Sequence, residues 1–532
     1  MSISSRSNWY LLLVCLALGS IYAIGLLSRS IWYDEAITLQ SLASQTFSGV
    51  APGPLLIAEL KPYFEGVATL PKLLDHYRED DVHPPLYFLV AHGATLVFGN
   101  SLSVVRAVSL VLVVLSVVVY ARFLLRNGHA DPWIYTLVYG LSFAAVTTAQ
   151  DARGYALVLL LGVSAWCLLA ALPEWRDRQR IGGELVFGLL CGGLLLTHYF
   201  AALLVAGLMA WHMADAVYRR TAVALVAPAV AVAVFLPWAP VFMQHLTARP
   251  DQFAGFLGLI EWAKRSANLA GGQVLSATSF AVPSELQRLG RFAVLGLMIV
   301  GAISIAWDRT NTPVQTRLAR ISVVVPAVGL AGFLAASIIL DRWFITLRYF
   351  LFFAPFLTYL SVRGAVVLGS IAARSGIEPL SLAPAAILLL AQVAMLNFGW
   401  EANTNRGGAY FKTVAEQLRD HEAARTLVII DSGSGRGTPL AAAYSLPPET
   451  SAYLLGEQPE TWERAADEIE AELEGTEEVY LLFTIERGSM ESDKTLMYDP
   501  IVNAVERAGF RRTAAPPASQ GQRFYARWTR ED

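Results

Sequence analysis

Asp34 and Glu35 stand side by side in the stretch 28–44, SRSIWYDEAITLQSLAS, directly after the first strongly apolar segment of the chain. An ionised acid just past a membrane exit suits general-base work, in which a carboxylate takes the proton of an attacking hydroxyl. Such help is worth typically ~10²–10⁴ in rate. Other polar clusters carry groups fit for holding an anion. DDVHPPLYF (80–88) brings Asp80, Asp81 and His83, and QDARGY (150–155) brings Gln150, Asp151 and Arg153. RWFITLRY (342–349) brings Arg342, Arg348 and Tyr349, and His198 stands between two apolar runs. A guanidinium fork binds two oxygens of one phosphate, and a histidine N–H can reach another.

Each of these residues also has a plainer reading. Asp34 could cap a helix running through Glu35–Ala43. Neighbouring residues on a helix point about 100° apart, so one acid of the pair faces a given substrate. His83 could belong to a proline-stopped loop that enters an interfacial helix, and Arg153 could snorkel to headgroups as arginines at span ends do. Asp151 beside it could orient Arg153 or an acceptor. Arg342 and Arg348 offer the same choice as Arg153. GSGRG at 433–437 follows a strand-like run but lacks GxGxxG and a ribose-reading acid, so it reads as a turn.

The elements that must position these residues are membrane helices. Of 532 residues 55% are hydrophobic and 16% charged, well under the usual quarter. Apolar segments near the spanning length recur at 9–27, 104–121, 132–149, 154–172, 183–197, 199–217, 221–240, 289–306, 321–340, 346–366 and 382–399. Pro84–Phe98 is shorter, and its prolines suit the first turn of a helix lying on the interface. If it does not cross, the loops with Arg122 and Arg126, Arg176 to Arg180, Arg219 and Arg220, Arg309 to Arg320, and Arg363 and Arg374 all fall inside. If it crosses, all of them move outside. The basic loops therefore give about eleven spans, an N-terminus inside and a C-terminus outside. Asp34, Glu35, His83, Asp151, Arg153, His198, Arg348 and Tyr349 then share the outer face. The first helix reads as retained, because no small-residue cleavage site precedes the charged loop.

The expected fold class is mainly α: a polytopic helical bundle over 1–400 with a small extracytoplasmic α/β domain over 401–532. The bundle carries long outer loops at 28–103 and 241–288. The second is too long to be structureless, so it is functional or partly helical. In the terminal part, Thr426–Ile430 and Glu478–Ile485 read as buried strands. Glu460–Glu474 and Asp499–Ala508 read as helices. Truncation after Glu401 is expected to leave Asp34 in its place.

Net charge −3 gives no basic excess for nucleic acid. Cys15, Cys167 and Cys191 lie in apolar runs, without CxxC or Cys/His metal spacing. GxxxxGK[ST], HExxH, GxSxG and a DxD metal-binding acid pair are missing. No cofactor is indicated; a divalent metal is possible but has no signal. A membrane enzyme whose acids face outward, with no nucleotide machinery, needs a donor delivered in the lipid. Two other classes stay open. A glycolipid transporter or flippase would place ionisable residues near the midplane on broken helices. A non-catalytic assembly partner would need none of these groups in register.

WYDEA after the first span, DVHPPLYF before the second and ARGYAL at an outer interface resemble the GT-C glycosyltransferases. The resemblance is to the ArnT-like and protein O-mannosyltransferase-like branch. THYFA (197–201) and LRYF (347–350) fit the same pattern, and the resemblance covers about residues 9–400. It implies an inverting transfer of a sugar from a polyprenyl-phosphate donor in the cell membrane to an extracytoplasmic lipid, glycan or protein. It makes Asp34 the catalytic acid, with Glu35 beside it, and Asp151 a second acid. Arg153 becomes a phosphate contact. His83 takes the place of a lysine found before the two prolines in some relatives. His198, Arg348 and Tyr349 join the substrate-binding set.

Overall fold

A computed structural model describes every residue except 1–4, 44, 46–49, 176, 249–254, 276–283, 308–311, 345, 375–380, 399–408, 421–424, 432–436, 457–461, 484–498, 515–523 and 531–532. The helices begin with α1 Ser5–Ser28, α2 Tyr33–Ala43, α3 Leu70–Glu79, α4 Leu86–Phe98 and α5 Leu102–Arg126. They continue with α6 Pro132–Gly140, α7 Phe143–Ala149, α8 Tyr155–Ala171, α9 Asp177–Leu195 and α10 Ala201–Arg219. Next come α11 Val226–Phe235, α12 Ala239–Ala248, α13 Leu259–Val274, α14 Ser284–Ser304 and α15 Pro313–Ile339. The short α16 Leu347–Phe350 leads into α17 Ala354–Ala373 and α18 Ala383–Phe398. After them lie α19 Ala409–Asp420, α20 Gly437–Ser445, α21 Trp462–Glu472 and α22 Asp499–Arg507. The strands are β1 Gly53–Leu56, β2 Thr426–Asp431, β3 Ser451–Leu455, β4 Glu478–Phe483, β5 Phe510–Ala514 and β6 Phe524–Arg530. The chain forms two compact units: Met1–Leu27, Asp81–Val90 and Arg106–Asn403 in one, Ser28–Asp80, Ala91–Val105 and Thr404–Asp532 in the other.

The first unit is the membrane bundle. Among the described residues, eight helical stretches are long and apolar enough to cross: Asn8–Leu26, Leu102–Arg126, Tyr155–Glu174, Ala201–Arg219, Val223–Leu246, Glu285–Ser304, Pro313–Ile339 and Leu347–Ala373. Three more of the expected spans take other forms. Residues 132–149 break into α6 and α7 at Leu141–Ser142, where Ser142 Oγ accepts from the Ala145 N–H at 3.3 Å and starts a new helix. The Tyr22 hydroxyl donates to Gly140 O at 2.7 Å, satisfying a carbonyl that the break releases. Helix α9 begins at Asp177 and carries the fully buried Glu184, whose carboxylate lies 2.9 Å from His212 Nε2 and 3.8 Å from Arg180 Nε. Pairing of that kind is what keeps an acid at such a depth. Helix α18 has 16 residues, ~24 Å of length. Helix α4 has 13 residues, ~20 Å, against a hydrocarbon core of ~30 Å.

The stretches Tyr155–Glu174 and Leu347–Ala373 are 72% and 83% buried and form the centre of the bundle. Leu13, Val232 and Leu390 on outer helices stay exposed, as lipid-facing residues do. Small residues set the closest approach, as is general between membrane helices. A Cβ on Gly301 of α14 would fall 2.1 Å from Leu360 O of α17, and one on Gly364 of α17 would fall 1.9 Å from Leu297 O. The two backbones therefore touch through paired glycines. The loop expected at 241–288 is largely helical in its described part, as α12 and α13.

The second unit is built on a six-stranded sheet of order β1-β3-β2-β4-β6-β5. Strands β3, β2 and β4 run parallel; β1, β6 and β5 are antiparallel to their neighbours. All six residues of β2 are buried, as expected of a central parallel strand covered on both faces. One face holds a core of Leu427, Ile429, Tyr453, Trp462, Ile469, Val479, Ile501 and Trp528. The strands expected at Thr426–Ile430 and Glu478–Ile485 are β2 and β4, with 484–485 outside the described residues. The two expected helices are α21 and α22. GSGRG lies outside the described residues except Gly437, which opens α20.

A cut near residue 400 does not describe this unit. Strand β1, from the first polar loop, pairs with β3 in register Gly53↔Leu454 to Leu56↔Ser451. Lys61 Nζ donates to Leu446 O at 2.9 Å, and α2 packs on α20. The segment bearing Asp34 thus folds with residues 404–532.

Candidate functional site

In the bundle, three turns bring polar groups together. The first, 81–85, leads into α4. Asp81 is buried, and its Oδ1 accepts the His83 backbone N–H at 3.1 Å and the ring Nδ1–H of the same residue. The second turn, 150–154, joins α7 to α8 and carries Arg153, which is 4% exposed. Arg153 Nη2 lies 2.7 Å from His83 Nε2, and its guanidinium carbon is 5.9 Å from the Phe88 ring centre. The third turn, 196–200, joins α9 to α10 and carries His198. Leu86 N–H donates to Leu196 O at 2.9 Å, which ties the first turn to the third. Gly154 leaves room for Tyr87 and Thr197, whose atoms would lie 3.3–3.5 Å from a Cβ there.

Around His198 the walls are aromatic. Its ring centre is 6.2 Å from that of His83, 5.5 Å from Tyr155, 5.4 Å from Tyr349 and 5.1 Å from Phe352. Phe200 stacks on Tyr349 at 4.1 Å. His198 Nδ1 accepts the Phe200 N–H at 3.2 Å, so in the neutral ring the proton sits on Nε2. Burial, then the neighbouring Arg153 guanidinium, pulls the His198 pKa well below the usual histidine value. His198 is therefore a neutral N–H donor among aromatic rings. Next to it, burial pushes the Tyr199 phenol up to about 12, although Trp238 donates to its oxygen at 3.0 Å.

His83, Arg153, His198 and Tyr349 are thus gathered into one cluster. Asp151 is buried two residues from Arg153, its N–H donating to Thr148 O at 3.3 Å. Arg348 is half-buried on α16, beside Tyr349, and Gln273 Nε2 holds the Leu347 carbonyl at 2.9 Å. Asp81, Tyr155, Phe200 and Phe352 complete the cluster without having been assigned a role from sequence. For Asp81 the available signal was its D-x-H spacing, which lets a carboxylate meet both N–H groups of a histidine two residues on.

Asp34 and Glu35 belong to the second unit, at the start of α2. Both are buried. Glu35 caps the helix start, and Asp34 stands at its second residue. The Trp32 N–H donates to Glu35 Oε2 at 3.3 Å, the N3-to-N-cap half of a capping box. Asp34 sits one residue earlier, and the Thr38 hydroxyl donates to its backbone carbonyl at 3.0 Å. At the other end of α2, Ser41 Oγ is 2.9 Å from His76 Nε2, and His76 Nδ1 is 3.2 Å from Asp80 Oδ2. These are the distances of a nucleophile triad. Ser41 is fully buried and donates to Ile37 O at 2.8 Å, so the three residues act as a clamp between α2 and α3. Among the described residues no three His, Cys, Asp or Glu side chains converge as a metal site would require.

No protein-family model matches the chain. An undecaprenyl phosphate-alpha-4-amino-4-deoxy-L-arabinose arabinosyl transferase of Pseudomonas aeruginosa is 29% identical over 213 residues, 39% of this chain. The match spans about a third (35%) of that relative's length. Among solved structures, ArnT from Cupriavidus metallidurans bound to undecaprenyl phosphate superposes with a TM-score of 0.49 and 11% identity over 98% of both chains. The mycobacterial arabinofuranosyltransferase AftD gives a TM-score of 0.38 and 14% identity, over 100% of this chain and 40% of that one.

Proposed function

We propose that the protein is a GT-C-type membrane glycosyltransferase that moves a sugar from a polyprenyl-phosphate donor to an extracytoplasmic acceptor, with inversion. The observation that carries this reading is the buried Arg153–His198 cluster at the ends of apolar helices. Its buried guanidinium and its ring N–H, walled by aromatic rings, suit a lipid-linked anion. Likeness to the Pseudomonas arabinosyl transferase supports the donor class.

In this reading Asp34 accepts the proton of the acceptor hydroxyl as that oxygen attacks the sugar C1. The C1–phosphate bond breaks, and the polyprenyl phosphate leaves with the bonding electron pair. Arg153, with the Nε2–H of His198, stabilises the charge gathering on the departing phosphate. Arg348 and Tyr349 line the same place, and Asp151 orients Arg153 or the acceptor. Glu35 holds the start of α2. The chain lies in the cell membrane with its N-terminus inside, α4 along the outer interface and residues 401–532 outside, a reading that the short basic loops support.

A transporter reading predicts movement of the intact glycolipid between leaflets. The polar groups of the cluster lie in turns between helices, which favours bond cleavage. The test is to incubate the purified protein in nanodiscs with polyprenyl-phosphate-linked sugars and a membrane-lipid acceptor fraction. Asp34-dependent release of free polyprenyl phosphate is expected. Leaflet exchange in liposomes with the sugar–phosphate bond intact would replace this reading with the transporter.

A further inference from the structure

Asp81, His83 and Arg153 form a chain whose hydrogen bonds are mutually consistent in one arrangement. A carboxylate only accepts and a guanidinium only donates. Asp81 Oδ1, facing His83 Nδ1, therefore requires a proton on Nδ1. Arg153 Nη2, 2.7 Å from His83 Nε2, requires a lone pair there. Both conditions are met by a neutral imidazole protonated on Nδ1. The backbone N–H of His83, donating to the same Asp81 oxygen at 3.1 Å, locks the ring's position.

We infer that Asp81 and His83 are positioning residues for Arg153. Asp81 fixes the tautomer of His83, and His83 Nε2 accepts from Arg153 and sets the plane of its guanidinium fork. His83 then differs in role from a lysine at the same place, which would itself meet a phosphate. The two histidines are set in opposite senses. His83 offers a lone pair to a cation of the protein, while His198, with Nδ1 filled by the Phe200 N–H, offers Nε2–H. A planar fork whose plane is already fixed loses less freedom on meeting two phosphate oxygens, so the chain prepares the site before the ligand arrives. Asp81 and Arg153 are 5% and 4% exposed, and neutral His83 between them lets the carboxylate offset the buried cation.

This inference rests on the proposal that Arg153 meets the donor phosphate, and the experiment separates the two. The full-length protein in nanodiscs is titrated with undecaprenyl phosphate, comparing wild type, Asp81→Asn, His83→Lys, Arg153→Ala and the Asp81→Asn/Arg153→Ala double variant. Loss of Asp81 is expected to weaken binding about tenfold, the worth of a hydrogen bond to a charged group. The double variant is expected to bind within about twofold of Arg153→Ala, because Asp81 acts through Arg153. His83→Lys is expected to weaken binding, since an ammonium would face the guanidinium. Additive losses in the double variant, or full binding by His83→Lys, would overturn the chain. A second readout needs no ligand. In ¹⁵N-histidine spectra, the signals lost in His83→Lys identify the His83 ring of the wild type. A ring protonated on Nδ1 with a lone pair on Nε2 is expected. A wild-type ring protonated on Nε2 would sink the inference whatever the binding shows. Unchanged binding by Arg153→Ala would remove the phosphate role and leave the tautomer result to judge the chain.

Discussion

Tyr33 lies directly against Gly437. A Cβ on Gly437 would come 2.7 Å from both Cβ and Cδ2 of Tyr33 and 3.1 Å from its Cγ. Tyr33 is the residue before Asp34 and the first of α2, and Gly437 is the first of α20. The glycine lets one helix start seat on the other. Gly437→Ala forces Tyr33 to move, and overpacking of this kind typically costs ~1–3 kcal/mol. The expected result is turnover lowered by about 10²-fold, the effect of a ~1 Å misplacement of a reacting group, with undecaprenyl phosphate binding kept. Equal turnover in the variant would show that the seat has slack.

The same unit predicts what truncation does. A chain ending at residue 401 leaves β1 without β3, Lys61 without the Leu446 carbonyl and α2 without α20. The segment 28–80 is therefore expected to lose its fold while the bundle stays inserted. Limited proteolysis should cut the truncated protein within 28–80 at least ~10-fold faster than the full chain. Equal protection would mean that the loop folds without its sheet.

The division between bundle and sheet was partly legible in the sequence. Long apolar runs give the helices, and His83, Arg153, His198 and Tyr349 could be picked out because polar residues at span ends are costly without a use. Strand β1 could not be read, because GPLL is four residues long with a proline, and its partner lies some 400 residues further on. The break between α6 and α7 left only the Gly140–Ser142 signal within an otherwise spanning run. The cap by Glu35 was hidden because its N-cap residue, Trp32, has no capping side chain. The role of Asp81 depended on a ring orientation that spacing alone does not fix.

Arg153 tests the proposed anion site. Arg153→Ala should weaken undecaprenyl phosphate binding by roughly 10- to 100-fold, as loss of a charge-assisted pair of hydrogen bonds does. Arg153→Lys should recover only part, because a point charge replaces a planar fork and no longer matches His83 Nε2. Equilibrium binding in nanodiscs decides. Wild-type affinity in Arg153→Ala would return this residue to the snorkelling role.

Two histidines outside the spans, buried His198 and half-buried His129, set the acid limit of stability. His198 is held well below its usual pKa, and His129 is lowered to about 4, by burial first and then by Arg363. Below pH ~6.5 the unfolded chain takes up protons that the folded chain refuses at these rings. Their contribution is thus intact above pH ~6.5 and is lost as pH falls toward the folded values, by at most ~1.4 kcal/mol per unit per ring. Thermal inactivation midpoints should fall between pH 6.5 and 4, and His129→Gln should flatten that slope. An unchanged slope in the variant would assign the acid limit to other groups.

Asp34 decides whether the helix start is also a reaction centre. Glu35 already caps α2, so Asp34→Asn should leave the helix and the fold intact. Asn cannot accept a proton at neutral pH, and turnover should fall at least ~10²-fold if Asp34 is the base. Asp34→Glu keeps the charge but moves the carboxylate by about a methylene, and a misplacement near 1 Å can itself cost ~10²-fold. Glu35→Gln should be the mildest of the three, because glutamine at N3 also reaches back to the N-cap N–H. Its expected mark is a small loss of thermal stability, of the order of ~1 kcal/mol, with turnover largely kept. Turnover and undecaprenyl phosphate binding are measured together for all three variants. Unchanged turnover in Asp34→Asn, with donor binding intact, would move the proton acceptor to another residue, with Asp151 the next to replace.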